Sequence, residues 1–323
     1  MNCKHKSSLD MEGGIFIKRF FFLLLCIALL LNSCQANPVS VPNEPDLSSA
    51  AVSTENGEGT GTQVWEESKT VVETTPYIDQ VVQQTIEKIT MPDMSEYEKA
   101  KAAFDYLIET TYYEDPIGMD VWRIRDKTKN PTYTFLENRA LSVLLYGKGY
   151  CMDYASALVL LLRGMGMEAV YVPGLTYSAE GTYVDHAWTI AKIDGVWYHL
   201  DSQLQDEISR NHSISYLYFM KSDATMRASH RWGQNLIDSG LLTEEQNAEI
   251  AKGYLAPECP RDYPTPKRRE YTPVPSQDSE EILSQLEQER RQYEQEHGPL
   301  APLELDLAVP VFGFGSFGPP DST

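Results

Sequence analysis

The chain contains 323 residues, of which 42% are hydrophobic and 23% are charged, and this length and composition suit one well-packed core with flanking tails. Its formal net charge is −20, from 27 basic and 47 acidic side chains, so nucleic acid is excluded as an expected partner. The histidines and cysteines form neither an H-E-x-x-H motif nor a paired-cysteine zinc motif, so we expect no metal and no other cofactor.

Residues 1–33 have the pattern of a signal peptide. Lys18 and Arg19 precede an apolar run over residues 20–31, which is too short to span a bilayer comfortably. The sequence L-N-S-C that ends at Cys34 resembles a bacterial lipobox, which implies cleavage before Cys34 and attachment of lipid to it. An uncleaved N-terminal anchor is the alternative. Either one predicts a protein tethered to the extracytoplasmic face of a bacterial cell membrane.

A tether and a folded domain are predicted next. Residues 34–72 are rich in Asn, Pro, Ser, Glu, Gly and Thr, have little apolar surface to bury, and predict a disordered tether. A folded domain is expected over residues 73–255, with a helical N-terminal half. The predicted helices are residues 77–90, a second helix that begins at Ser95 with Glu98 as its capping box, and residues 135–146.

Cys151 is predicted to lie on the first turn of a further helix. The turn-prone run G-K-G precedes it at residues 147–149, and residues 152–163 are apolar at helical spacing until Gly164. The free backbone N–H groups and the dipole at a helix start favour a thiolate over a thiol. This is the usual setting of a nucleophilic cysteine.

A β-hairpin is predicted from two strand-like runs and the Asp-Gly turn between them, residues 184–193, 194–195 and 196–201. In that register Trp188 faces Asp201, and His186 and Asp201 lie on one face of the sheet. Diagonal neighbours are about 7–8 Å apart at Cα, within reach of a His–Asp hydrogen bond. His199 shares this face and is the reserve candidate for a catalytic base.

Three short runs, G-x-G-x-C-x-D-Y-A, D-H-A-W and G-x-W-Y-H-L-D, resemble the core of the transglutaminase-like superfamily, whose fold is related to papain-like cysteine peptidases. The resemblance implies an α+β fold with a helical N-terminal half and a nucleophile helix packed on an antiparallel β-sheet. It also implies a catalytic triad of Cys151, His186 and Asp201, an arrangement suited to nucleophilic acyl transfer.

The expected activity is thiol chemistry on amide or peptide bonds, with hydrolysis slightly ahead of transamidation. The substrate would be a protein or peptide, a class that includes cell-wall peptide. A protein-glutamine cross-linking transglutaminase and a non-catalytic surface module that binds peptide are the alternatives. The backbone N–H of Cys151 would contribute to an oxyanion hole, with Tyr133 and Trp122 as candidates for the second donor. Asp153 and Tyr154 are expected to hold the start of the helix in place.

The C-terminal part is predicted to lie outside the folded domain. Residues 256–276 are proline-rich and predict a semi-rigid linker. This segment contains Cys259, which is therefore expected outside the core and, like Cys151, reduced. Residues 277–323 predict a solvated, charged helix and a Gly/Phe tail to which we assign no function.

Overall fold

The computed structural model of the chain describes residues 75–117, 122–126, 133–210, 212–253, 256–301, 305–306 and 316–317. The predicted signal peptide, Cys34 and the predicted tether lie outside these residues. Within the described ranges, no helix has both the length and the apolar character that a membrane span requires.

The described residues form nine α-helices, some of which begin at capping boxes. In chain order they are α1 (Tyr77–Ile89), α2 (Glu96–Thr110), α3 (Phe135–Tyr146), α4 (Cys151–Gly164), α5 (Ser202–Ser209), α6 (Asp223–Met226), α7 (Gly233–Ile237), α8 (Glu244–Gly253) and α9 (Ser279–His297). Ser95 Oγ accepts the Glu98 N–H and the Glu98 carboxylate accepts the Ser95 N–H, which is the predicted capping box. Thr134 and Glu137 form a second box at the start of α3. Each box satisfies two N–H groups that the helix leaves free.

The strands form one main antiparallel sheet and several short pairs. In chain order they are β1 (Tyr112–Tyr113), β2 (Tyr133–Thr134), β3 (Lys148–Gly149), β4 (Ala169–Tyr177), β5 (Tyr183–Ile193), β6 (Val196–Leu200), β7 (Ser213–Ile214), β8 (Phe219–Lys221), β9 (His230–Arg231), β10 (Arg269–Glu270), β11 (Leu305–Asp306) and β12 (Ser316–Phe317). The main sheet has the order β8-β6-β5-β4-β9, and β12 also pairs with β5. Helices and an antiparallel sheet together are the predicted α+β class.

The hairpin of β5 and β6 has the predicted register. Ile193 pairs with Val196, and the pairing continues without a slip to the end of β6. The two turn residues between them have φ angles of 50° and 76°, the left-handed backbone that a two-residue hairpin turn requires. Because side chains alternate along a strand, this register decides that His186 and Asp201 share a sheet face.

Helix α4 lies at the centre of the core and carries Cys151 at its first residue. It packs against both α3 and β5, and Leu158 and Leu161 are fully buried. Full burial of such a side chain stabilises the fold by roughly 1.5–3 kcal/mol, so the position of α4 is firmly held. Gly147 turns the chain from α3 towards α4 with a φ of 63°, and a Cβ there would lie 2.1 Å from the Thr110 carbonyl oxygen. Glycine is therefore required at this turn.

The proline-rich segment 256–276 lies against the domain, so the linker expected from its composition is wrong. Tyr263 stacks on Tyr97 with ring centroids 4.8 Å apart. The Asp262 carboxylate accepts the Ser222 N–H at 2.7 Å. Proline removes backbone donors from the segment, but the aromatic and acidic side chains between the prolines make the contacts that hold it in place.

Two other C-terminal expectations are corrected in the same way. Cys259 is 1% exposed and belongs to the core, although its thiol is free, as is that of Cys151. Helix α9 is not solvated all round, because Ile282 and Leu286 are buried against Ile117. These two apolar residues lie four positions apart and therefore on one side of the helix. This stripe is what docks the charged helix.

Candidate active site

Cys151 is the first residue of α4. The preceding residue, Tyr150, has extended backbone, and its N–H donates to the Asp153 carboxylate at 2.7 Å. Helix geometry leaves the first N–H groups, including that of Cys151, without a carbonyl partner inside the helix. Cys151 is 8% exposed. Its sulfur is therefore held at the edge of the core, beside free backbone donors.

Asp153 and Tyr154 tie the start of α4 to its surroundings, in the supporting position expected of them. Asp153 is fully buried and forms an ion pair with Arg139 at 2.9 Å. Burial raises the pKa of Asp153 to about 6, against the lowering effect of Arg139. The Tyr154 hydroxyl donates to the Asp206 carboxylate at 2.9 Å. The first turn of α4 is thus fixed on two sides.

His186 and Asp201 are joined by a buried hydrogen bond. The distance between His186 Nε2 and Asp201 Oδ2 is 2.6 Å, and both side chains are at most 3% exposed. Asp201 is also the N-cap of α5, where its Oδ1 accepts the Leu204 N–H at 3.0 Å. Both oxygens of the carboxylate are therefore held, one by a helix start and the other by an imidazole.

The Cys151 side chain lies close enough to the same imidazole to raise its pKa. Because Asp201 occupies His186 Nε2, Nδ1 is the ring nitrogen left for the sulfur. Burial lowers the pKa of His186, but the charge of Asp201, the hydrogen bond to Asp201 and the nearby Cys151 outweigh burial and raise this pKa to about 10. The structure thus brings all three residues of the predicted triad together, with a protonated imidazole in the middle at neutral pH.

The carboxylate of Asp201 remains ionised although it is buried. Burial raises the pKa of Asp201, yet the charge of His186 and the hydrogen bonds from His186 and His230 hold it well below its usual range. A buried charge is tolerated only when it is paired and hydrogen-bonded. The imidazolium of His186 supplies the pairing here.

His230 is a second histidine on this carboxylate, and the sequence analysis missed it. Its Nε2 lies 3.0 Å from Asp201 Oδ2, and Ser229 Oγ lies 2.8 Å from its Nδ1. Burial lowers the pKa of His230 to about 4, against the raising effect of Asp201, so this imidazole is neutral at neutral pH. It reaches the site only because β9 pairs with β4, far away in the chain. The sequence shows a histidine at this position, but no local pattern indicates that strand pairing.

His199, the reserve candidate for the base, is engaged elsewhere. Its Nδ1 accepts the Trp188 indole N–H at 2.9 Å, and its Nε2 lies 2.8 Å from Asp223 Oδ1. Burial lowers its pKa, against the hydrogen bond to Asp223. Trp188 also stacks on His186, with ring centroids 5.8 Å apart. His199 therefore fixes the ring that covers His186.

Two groups of potential metal ligands occur among the described residues, His186 with Asp201 and His230, and His199 with Asp223 and Cys259. In the first group, both Nε2 atoms lie at hydrogen-bond distance from one oxygen, so each carries the proton that a metal would have to displace. In the second, the indole of Trp188 donates to His199 Nδ1, so the proton of His199 is on Nε2 and faces Asp223. Both groups are hydrogen-bonded clusters in this arrangement.

Of the two candidates for the second oxyanion donor, the structure describes the side chain of Tyr133. Tyr133 is buried in the core, and its hydroxyl donates to Asp126 at 2.6 Å, so it is not available as a donor to the site. The side chain of Trp122 lies outside the described residues. Tyr113 is a further phenol near the start of α4, with its ring 5.3 Å from that of Tyr150, the residue before Cys151. Burial, and after it the charge of Cys151, raise the pKa of this phenol.

The comparisons with known proteins identify the class of domain. The sequence model of the transglutaminase-like superfamily matches residues 83–202, a range that contains Cys151, His186 and Asp201. Residues 83–202 therefore match a transglutaminase-like domain, which confirms the resemblance found in the sequence. The match supports a relationship to a family of thiol enzymes.

A solved structure gives a weaker likeness. A candidate cysteine protease from Cytophaga hutchinsonii is 19% identical, with a TM-score of 0.29, and the match covers 39% of this chain and 37% of that one. The match thus spans little more than a third of the solved chain. No curated protein matches the sequence.

Proposed function

We propose that this chain is a thiol enzyme that acts on amide or peptide bonds through Cys151, His186 and Asp201. The observation that carries the proposal is one buried imidazole, His186, which lies 2.6 Å from the carboxylate of Asp201 and has the Cys151 side chain beside it. A nucleophile, a proton carrier and a group that orients the carrier are the three parts of nucleophilic acyl transfer.

The proposed reaction has two halves. The Cys151 sulfur attacks the amide carbonyl carbon, and the backbone N–H of Cys151 binds the oxygen as negative charge develops on it. The C–N bond then breaks, the leaving amine takes the proton from His186, and a thioester remains on the sulfur. In the second half, His186 takes a proton from water, the oxygen of that water attacks the thioester, and the acid product leaves.

Hydrolysis is the proposed outcome, with a protein or peptide, including cell-wall peptide, as the substrate. In a cross-linking transglutaminase an amine would take the place of water in the second half. A module that only binds peptide has no use for a buried imidazolium and carboxylate beside a free thiol, because burial of charge is costly. The intact contact between His186 and Asp201 therefore favours an enzyme.

The proposed reactivity is testable without a known substrate. Iodoacetamide at pH 6 should alkylate Cys151 readily, although an ordinary thiol, with a pKa of about 8.5, is less than about 1% thiolate there. His186→Gln should slow this alkylation by roughly tenfold or more, because it removes the partner of the sulfur. The rate is measured by mass spectrometry of the peptide that contains Cys151.

His199→Gln is the matched control, since His199 lies on the same sheet face but binds Asp223, and it should leave the rate nearly unchanged. Cys259 is a second control inside each sample, because burial and then Asp223 raise the pKa of its thiol. Alkylation of Cys151 that is as slow as that of Cys259 and indifferent to His186 would favour the peptide-binding module.

We further propose that lipid on Cys34 tethers the protein to the extracytoplasmic face of the membrane. The support is the signal-like sequence of residues 1–33 and the L-N-S-C run. Cys34→Ala should move the protein from the detergent phase to the aqueous phase in a two-phase partition, or leave the signal uncleaved. Cys26→Ala, in the same segment, is the control. Unchanged partition and normal cleavage in Cys34→Ala would contradict a lipid anchor.

A further inference from the structure

The strongest unexplained feature of the structure is that two imidazoles share one carboxylate oxygen. Asp201 Oδ2 lies 2.6 Å from His186 Nε2 and 3.0 Å from His230 Nε2. Oδ1 of the same carboxylate is occupied by the Leu204 N–H. A carboxylate that orients one imidazole needs only one of these contacts. The second imidazole is fully buried, and the proposed reaction gives it no step.

We propose that His230 is a positioning residue of this site, which shares the negative charge of Asp201 between two imidazoles and holds its Oδ2 towards His186. The inference rests on the proposed function. The proposed role involves no contact between His230 and the Cys151 sulfur. His230 acts on the reaction only through the carboxylate and, through the carboxylate, on the proton of His186.

The hydrogen-bond partners of His230 define its protonation. An ionised carboxylate only accepts, so Nε2 of His230 must donate to Asp201. A neutral imidazole carries one proton, so its Nδ1 accepts the hydroxyl proton of Ser229. His230 is thus a neutral donor. It withdraws charge from Oδ2 without placing a second positive charge beside the imidazolium of His186.

The contact between His230 and Asp201 affects how readily His186 gives up its proton. Without His230, the buried carboxylate of Asp201 would have one hydrogen-bond donor fewer. The state in which His186 has lost its proton would then be less favourable. The proton would then be held more tightly and given up less readily to the leaving amine. With His230 present, the carboxylate remains solvated by protein donors after the proton has left. His230 thereby keeps His186 acidic enough to act as a proton donor.

The surroundings of His230 contain few other groups that titrate. His186 and His199 are its titrating neighbours, Asp201 is its partner, and the Tyr218 ring lies 5.8 Å from it. The Trp188 ring packs edge-on at 4.8 Å between centroids. The His230 ring also lies 5.6 Å from the His186 ring, and a ring at residue 230 preserves that packing, so loss of the donor to the shared carboxylate is the main change in His230→Phe.

The experiment is an NMR pH titration of His186 in the full chain labelled with ¹⁵N-histidine. His230→Phe preserves a ring of similar size but removes the donor, and the midpoint of His186 should rise by about one pH unit. His230→Gln places an amide N–H close to the position of Nε2 and should restore the midpoint to within a few tenths of a pH unit. Ser229→Ala, which removes only the contact at Nδ1, should also change it little.

An unchanged midpoint in a folded His230→Phe protein, or the same shift in His230→Gln, would overturn the proposal, because a merely structural histidine predicts either result. A fall in the midpoint would overturn it too, since it would mean that Asp201 had moved away from His186. Should His230→Phe fail to fold, His230→Asn carries the same test, because its shorter amide does not reach Oδ2. The titration needs no reaction at Cys151, so it remains informative if the proposed enzyme activity fails.

Discussion

Cys151→Ala is expected to abolish the burst of nitrophenol that accompanies the first turnover of a p-nitrophenyl ester. In the native chain, one equivalent of nitrophenol is released as the acyl-enzyme forms. The sulfur is the proposed nucleophile, and no other thiol among the described residues lies beside a protonated imidazole. The remaining steady release should fall by roughly 10³-fold or more, as is typical when a catalytic nucleophile is removed. The measurement is stopped-flow absorbance, with the thioester identified by the mass of the intact protein.

Cys259→Ala is the matched control for this experiment. Cys259 is also buried and also has a histidine and an aspartate close by, but its neighbour Asp223 accepts from His199 and His199 is neutral. The burst should be unchanged in this variant. A burst that persists in Cys151→Ala, or that disappears in Cys259→Ala, would show that the nucleophile has been assigned to the wrong cysteine.

Asp201→Asn is expected to have the second largest effect, and the effect should depend on pH. In the native chain the pKa of His186 is about 10, raised mainly by Asp201 against burial. Without that carboxylate, burial is opposed only by Cys151, and the pKa of His186 should fall to the ordinary value of about 6.5 or below it. The imidazolium, present below about pH 10 in the native chain, would then be largely lost at pH 8. At pH 8, hydrolysis of a peptide p-nitroanilide should drop by about 10²-fold or more.

The two kinds of substrate separate the causes of that loss. A leaving nitroaniline needs the proton of His186, whereas nitrophenolate leaves without one. Asp201→Asn should therefore slow the anilide more than the ester, and the loss with the anilide should shrink as the pH is lowered. Asp223→Asn, at the carboxylate that binds His199, is the control and should leave both pH profiles in place. Equal losses with both substrates at every pH would mean that Asp201 acts only on the fold.

The stability of the folded protein should depend on pH through His186 and His230. The pKa of His186 is raised to about 10, so its contribution is complete below about pH 6.5 and is lost as the pH rises towards 10. The pKa of His230 is lowered to about 4, so its contribution is complete above about pH 6.5 and is lost as the pH falls towards 4. The two trends meet near the ordinary pKa of histidine, where the site is most stable.

Part of the site could be predicted because it depends on short-range rules. The turn-prone run before Cys151 and the apolar residues after it determine where α4 begins. The Asp-Gly turn determines the register of β5 and β6, and the register alone puts His186 and Asp201 on one face, since side chains alternate along a strand. Composition was a poorer guide at the C terminus. The prolines of residues 256–276 predicted a linker, but the side chains between the prolines pack against the domain. Composition carries no information about the surface of the domain that these side chains contact.

The sequence by itself determined the α+β class, the helix start at Cys151 and the pairing of His186 with Asp201, because each follows from residues close together in the chain. Only the tertiary structure decided which histidine meets the sulfur, since His186 and His199 share a sheet face and differ only in what packs beside them. It also decided the place of His230, which is 29 residues from Asp201 and is carried there by β9. A contact of that kind depends on how strands pair across the sheet, and the energy that selects the pairing comes from the packed core as a whole.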